Sequence, residues 1–530
     1  MKKKEKDKFL EELVEEVRND FIRRQNERKS FEAEWKLNNN FFLGKQYASI
    51  NRFSDIEEVN NGFYWQEKEV FNHVAPVIES RLSKLTATRP DMDVMPTTSS
   101  EDDQRIAYIS REILKNAYEK LNLSSVIATA THWSEICGTA FYKIIWNNYS
   151  GRRVYDRYGK KVFEGEVEVS AVSPFEIFPD SCANENIEDC ESIIHAKSYP
   201  VSEIKNMWGV DVIGTDIDTP YIVEGLSSKK HNEAIVIEKY ESPTVEFPNG
   251  RLIIICEDKL LYIGDLPYIN LADGKRGFPF VKQCALRRTG CFFGKSVICK
   301  LIPVQRAYNA LKNRKHEFIN RLTMGILSVE EGSVDIDDLV NDGLEPGKII
   351  EYRQGANPPK FLTGSEVPEI FHEEEEQLLD EFSEISGVTE LLSNRFYSKN
   401  LSGTAIQLLI EQGQNKLNIT LDEIRTAVKQ MAKHILRLYK QFAVMPRLVR
   451  LSDKQSVVYF KSSDLGVDDI QFVSDSISNS TQSSRREQLL ALLDAGVLKN
   501  SDGTIDEELK GKILQVFGIT TDTQNVADKE

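Results

Sequence analysis

Over the first 140 residues the apolar positions recur at helical spacing. Leu10, Leu13, Val14, Val17 and Phe21 share one side of a segment from Lys6 to Leu37, with charges between them. Phe31, Trp35, Phe41, Phe42 and Tyr47 then supply large core anchors. A second helix is expected from His73 to Leu85, closed by Arg89-Pro90 because the residue before a proline avoids the helical region. Ser100 and Asp103 fit a capping box for a third, Asp102 to Leu121, with Ile106, Ile109, Ile113, Leu114 and Ala117 on one face. A fourth, Ser125 to Ile136, stops at Gly138.

The period then changes to alternation. Ala140 to Trp146 reads as a strand with its turn at Tyr149 to Arg152. Further strands are expected at Val162 to Val172, Ser192 to Tyr199, Glu233 to Tyr240, Arg251 to Cys256, Leu260 to Ile263 and Phe280 to Leu286, with a short helix at Val201 to Trp208. Helices, then strands, then helices again predict an α+β body rather than a regular βαβ alternation.

From Ser296 the helical spacing returns. Ser296 to Leu322 carries Lys300, Arg306, Lys312, Arg314, Lys315 and Arg321 against Glu317, with Pro303 expected to kink or restart its early turns. Glu366 to Ile385 carries Glu366, Glu369, Glu373, Glu374, Glu375, Glu376, Asp380, Glu381 and Glu384 and no Lys or Arg. Between them, Thr323 to Ser365 contains Ile326 to Val329, Lys348 to Tyr352 and Pro358-Pro359, a small β or α/β insert. Helix, insert and helix of opposite charge is the pattern of an antiparallel pair projecting from a body. A polar loop, Gly387 to Ser402, leads into a helix from Gly403 to Phe442 that would span about 60 Å, weakest at Gly413. Strands around Ser456 to Phe460 and Asp469 to Val473, a Ser/Asn/Thr linker at Ser474 to Ser484, and helices at Arg485 to Ala495 and Ile505 to Phe517 complete the chain.

Length and charge narrow the function. A chain of 530 residues exceeds what one core usually holds. Its formal charge of -16 opposes general nucleic-acid binding, which draws on clustered Lys and Arg. Seven cysteines without a CxxC pair make no zinc site, and their odd number and the lack of an export signal point to a reducing compartment. No apolar run approaches the roughly 20 residues that span a bilayer.

The best enzymatic candidate is Gly290-Cys-Phe-Phe-Gly294-Lys295-Ser296, between a strand and a helix where a phosphate loop belongs. That motif would require its first glycine at Thr289, and Phe292 and Phe293 are too bulky for a backbone wrapped around phosphate; a turn capping the next helix, with Lys295 exposed, is the plainer reading. The histidines His73, His132, His195, His231, His316, His372 and His434 form no ligand spacing, and four successive acids at Glu373 to Glu376 point in four directions, as a solvated or partner-facing surface does. No metal, cofactor or catalytic residue is therefore expected. Opposite charge on the two helices can set register within or between subunits, and an acidic face along a pore would let a duplex slide. In the loop, Arg395 and Lys399 stand among Asn394, Tyr397 and Asn400.

Five stretches in fixed order carry a resemblance over most of the chain: Asn72-His-Val-Ala-Pro-Val-Ile-Glu-Ser-Arg81 with Thr88-Arg-Pro90; Ser173-Pro-Phe-Glu-Ile-Phe-Pro-Asp180; Gly294-Lys-Ser296 through Leu301-Ile-Pro-Val-Gln-Arg-Ala-Tyr-Asn309; Ile385-Ser-Gly-Val388; and Ser402-Gly-Thr-Ala-Ile406. The chain resembles the portal proteins of tailed bacteriophages, of the type in short-tailed phages and their relatives. The resemblance implies a ring, usually of twelve subunits, at one capsid vertex of the virion, assembled in the host cytoplasm, with double-stranded DNA passing through it during packaging and ejection. It implies a wing (1–295), two stem helices (296–322 and 366–386), a clip (323–365), a tunnel loop (387–402), a long wing helix with return strands (403–475) and a short crown (476–530). Implied partners are the terminase large subunit, which does the ATP hydrolysis, the major capsid and scaffolding proteins, and head-completion or tail adaptor proteins. The residues then expected to matter are Asn394, Arg395, Tyr397, Lys399 and Asn400 against DNA, and Arg306, Lys312, Arg314, Lys315, Arg321, Glu373, Glu376, Asp380 and Glu384 between stem helices or subunits. The alternatives are a P-loop-like nucleotide-dependent enzyme and another head–tail adaptor.

Overall fold

Four helices form where the N-terminal apolar spacing places them: α1 (Lys3–Phe42), α2 (Val74–Ala87), α3 (Glu101–Lys120) and α4 (Leu123–Cys137). The computed structural model describes residues 3–58, 68–87, 92, 94–96, 98–155, 161–221, 229–269, 274–324, 326–334, 350–362, 367–388, 403–443, 447–450, 457–462, 465 and 470–472. Helix α1 runs past Leu37 to Phe42, and Asn38, Asn40 and Phe41 in this extension are buried. Only half of the expected capping box forms on α3: Asp103 N donates to Ser100 Oγ at 3.2 Å, while the Asp103 carboxylate accepts from the Thr98 hydroxyl instead.

The middle of the chain builds two antiparallel sheets. The larger runs in the order Lys259–Gly264, Arg251–Cys256, Lys229–Glu241, Ser192–Pro200, Ile177–Pro179, with Thr215–Asp218 also paired to Lys229–Glu241. Both faces of this sheet are covered, which explains the unbroken apolar run of the Arg251–Cys256 strand. Ile253 and Ile255 pack with Leu13, Val14 and Val17 of α1, while Leu252, Ile254 and Cys256 join the main core. Two buried arginines clamp α1 to the edge strand. Arg28 donates to the carbonyls of Pro174, Phe175 and Ile177 at 2.9, 2.9 and 2.5 Å, and Arg24 donates to those of Phe178 and Ser192 at 3.2 and 3.1 Å.

The smaller sheet, Phe280–Cys284, Thr139–Asn147, Glu166–Val172, lies under α3, α4 and the long helix. The expected single strand Val162 to Val172 is two. Lys161–Phe163 pairs with Arg153–Tyr155, and Glu166–Val172 pairs with Thr139–Asn147. Gly165 breaks it at a φ of +72°, where a Cβ would meet Trp146 Nε1 at 2.5 Å. The short helix α5 is Val201–Trp208.

Helix α6 (Ile298–Met324) and helix α7 (Ile370–Ser386) bracket the insert, and α8 (Gly403–Phe442) follows. Helix α6 starts two residues later than Ser296 and runs through Pro303 without a break, as α8 does through Gly413. Helix α7 begins at Ile370 rather than Glu366 and ends at Gly387 in the left-handed conformation. In the insert, Ile326–Ser328 pairs with Lys360–Leu362. Residues 350–352 of the expected strand Lys348 to Tyr352 are irregular, and Lys348 and Ile349 lie outside the described residues. Three pairings were not legible: Ala48–Ile50 with Ile56–Glu58, Arg447–Arg450 with Val457–Phe460, and Ile470–Phe472 with Val94–Pro96. The chain divides into two compact units, Met1–Phe472 and Val473–Glu530. The second, with both expected terminal helices, lies outside the described residues.

Candidate functional site

The antiparallel pair of α6 and α7 is tied to the body by buried polar side chains at helical spacing. Gln305, Asn309 and Asn313 follow one another at four-residue intervals on α6 and are all buried. They read the extended segment Glu69–His73 as a neighbouring strand would. The amides of Glu69, Phe71 and His73 donate to Asn313 Oδ1, Asn309 Oδ1 and Gln305 Oε1 at 3.2, 3.0 and 3.0 Å. Gln305 Nε2 and Asn313 Nδ2 donate back to Phe71 O and Glu69 O at 2.8 and 3.1 Å. A buried backbone left without such partners would cost free energy at each group.

The end of α7 is held by a buried ion pair. Arg81 on α2 (2% exposed) and Glu135 on α4 (0% exposed) pair through both guanidinium edges at 2.7 and 3.2 Å. Arg81 also donates to Ser386 O, at the last residue of α7, at 2.5 Å, and to Thr420 Oγ1 on α8 at 3.5 Å. Thr420 Oγ1 donates to Ala285 O at 3.1 Å. The stretches ending at Arg81 and spanning Ile385 to Val388, far apart in sequence, meet here.

Between the two helices the contacts descend one as they climb the other. Tyr308 faces Phe382 with ring centroids 6.4 Å apart; Lys312 and Lys315 reach Glu375 at 2.5 and 3.0 Å; Phe318 faces Phe371 at 6.0 Å. That order makes the pair antiparallel. Burial alone would raise the Glu375 carboxyl, but hydrogen bonds and charge from Lys312 and Lys315 override it and hold the carboxyl below its usual range. Burial, then the charge of Lys312, pushes His73 down, and its ring packs 4.5 Å from that of Tyr308. The acid that joins the helices is thus Glu375, one of four consecutive glutamates. Only geometry selects it, because the residue type is repeated on every side of the helix.

The other expected residues are distributed around this seam. Arg314, Glu373, Glu376 and Glu384 are exposed, and Asp380 is half-buried. Arg306 turns away from α7: its guanidinium donates to Ala48 O at 2.8 Å and lies 5.3 Å from the Phe41 ring. The side chain of Arg321, and the loop residues Asn394, Arg395, Tyr397, Lys399 and Asn400, lie outside the described residues.

The glycine-rich turn before α6 is used internally. Phe292 and Phe293 are fully buried. Gly294 N donates to Thr139 Oγ1 at 2.7 Å and Lys295 N to Leu286 O at 2.8 Å, so these amides do not face a ligand. Gly138 approaches so closely that a Cβ on it would meet Gly294 O at 2.7 Å. Ser296 Oγ donates to Glu135 O at 2.5 Å and accepts from Ile298 N at 3.0 Å, so it caps α6. Lys295 is half-buried rather than exposed. In the adjoining cleft of about 200 Å³, Arg287 is paired with Glu423 at 2.7 Å and Arg288 with Glu34 at 3.0 Å. Among the described residues no group of three His, Cys, Asp or Glu side chains could hold a metal ion, and no helix is long and apolar enough to cross a membrane.

A family model described as phage P22-like portal protein matches residues 38–471. No curated protein matches the chain.

Proposed function

The chain belongs to the phage P22-like portal proteins, structural connectors of the phage virion, and on that premise we propose that copies of it close into a ring, of twelve subunits, through which double-stranded DNA is packaged and ejected. Residues 296–322 and 366–386 serve as the stem, 323–365 as the clip, 387–402 as the tunnel loop and 476–530 as the crown, the rest being the wing. The clip receives the terminase large subunit and later the head-completion or tail adaptor proteins; scaffolding and major capsid proteins meet the ring as it is assembled in the host cytoplasm. No chemistry is assigned to the chain.

The observation that carries the ring is the division of charge across the helix pair. Glu375 absorbs Lys312 and Lys315 within the subunit. The exposed base Arg314 is on α6, whereas the exposed acids Glu373, Glu374, Glu381 and Glu384 are on α7. A rod with a base on one helix and acids on the other can join copies head to tail, and such heterologous contacts form a ring when the rotation between copies closes. Acidic stem faces would then keep a duplex from adhering, while Arg395 and Lys399 make the few transient phosphate contacts. Negative-stain microscopy of the purified chain tests this: rings with a central hole are expected, and a monodisperse monomer at high protein concentration would overturn it.

A further inference from the structure

We propose that the β-hairpin Arg153–Tyr155/Lys161–Phe163 is a second, sequence-independent contact for the phosphate backbone of duplex DNA, made by Arg153 and Lys161. It depends on the portal reading only in choosing DNA among polyanions.

The hairpin grows from the ends of the Thr139–Asn147 and Glu166–Val172 strands, just past the Asn147↔Glu166 pair. Its base is firm. Arg447 donates to the carbonyls of Glu164 and Gly165, the latter at 3.0 Å, and its guanidinium lies 4.8 Å from the Trp146 ring. Beyond that base the composition inverts. In a chain of net charge -16, residues 149–163 hold Arg152, Arg153, Arg157, Lys160 and Lys161 against Asp156, with Glu164 and Glu168 following at the root.

Register puts two of the charges, Arg153 and Lys161, on one face. Arg153 is opposite Phe163 and Tyr155 is opposite Lys161, so all four side chains share a side of the ribbon. The Arg153 guanidinium lies 5.2 Å from the Phe163 ring and Lys161 Nζ 5.8 Å from the Tyr155 ring. Both cations are exposed, as is Arg152, while Tyr155 is 66% and Phe163 38% exposed. Each ring has a cation near it, yet Tyr155 and Phe163 stay exposed. The outward N–H groups stay available, and a guanidinium over a ring still presents a donor edge that fits phosphate. Donors of that kind contact the phosphate backbone, and the portal reading makes duplex DNA the polyanion concerned.

The test is fluorescence anisotropy of the full-length purified chain with a short labelled duplex, titrated with salt. Two phosphate contacts predict an affinity that falls roughly 12-fold between 50 and 200 mM salt; Arg153→Glu/Lys161→Glu should abolish that fall. Lys8→Glu/Lys205→Glu, exposed bases elsewhere, makes the same change in net charge and should leave the salt dependence intact. An unchanged hairpin variant, or an equal loss in the control, would overturn the proposal. So would a hairpin variant that loses binding to poly-glutamate yet keeps DNA, since that would mark an acidic protein as the partner. Thermal melts of both variants separate misfolding from lost contacts. Micrographs without rings would remove the ring reading and leave this one standing.

Discussion

At the scale of single residues, the helix pair and its anchorage rest on a few polar atoms whose removal is strongly asymmetric. Glu375→Gln leaves two lysines without their carboxylate and should cost about 1–3 kcal/mol, whereas Glu373→Gln, on the exposed side, should cost little. Chemical denaturation of the two variants checks this, and equal losses would refute the assignment of Glu375. Arg81→Ala strips a fully buried Glu135 of its partner and should cost about 3–5 kcal/mol. Acid offers a second check. His434 Nδ1 has no hydrogen-bond partner, and burial, then the charge of Arg437, lowers the ring from 6.5 to about 4. The folded ring stays neutral where the unfolded one takes a proton, so its contribution is full above pH 6.5 and is lost as the pH falls toward 4. Glu375 follows: its lowered carboxyl contributes above its ordinary 4.5 and fails below that value. The melting temperature should therefore fall through this range. His434→Gln should flatten the upper part of the slope, and an unaltered slope would exclude His434 as its source.

At the scale of elements, periodicity carried the helices and most strands because burial follows residue type along one face. Where it failed, the reason was geometric. The hairpin Ala48–Ile50/Ile56–Glu58, and Val94–Pro96 as the partner of the expected strand at Ile470–Phe472, are three residues a side, too short for a period to register. The Arg81–Glu135 pair was invisible because α2 and α4 come together only in the fold, although Arg81 closed one of the stretches that carried the resemblance. Arg306, counted with the stem bases, belongs instead to the joint between α6 and the Ala48 turn. That separation sharpens the element-scale prediction. Arg314→Glu places a like charge at the edge expected to meet the acidic face of a neighbouring α7, so it should block ring assembly while leaving subunit stability unchanged within about 0.5 kcal/mol. Lys315→Glu should destabilise the subunit itself, because Lys315 is already held by Glu375. Sedimentation velocity combined with melts distinguishes the two, and normal rings from the Arg314 variant would end the charge-pairing account.

At the scale of the whole molecule, the boundary between the two compact units sets where the chain can be cut. Ile470–Phe472 is a strand paired with Val94–Pro96, so the last residues that belong to the body come directly before the stretch of sequence that looks like linker. Removing 473–530 should leave the body folded with an unchanged melting transition, since Met1–Phe472 packs on itself. Cutting after Leu465 removes the partner of Val94–Pro96, leaving its ladder groups unpaired next to the buried Val94, and should lower the melting temperature by several degrees. If 473–530 forms the crown, rings of the shorter chain should still assemble on the stem charges. Arg395→Ala/Lys399→Ala in the full chain should likewise assemble but package less DNA, because these two bases are the ones proposed to touch phosphate in the channel. Equal packaging by that variant would take the tunnel loop out of the mechanism, whereas a truncated chain that no longer forms rings would shift the subunit contact from the stem to residues 473–530.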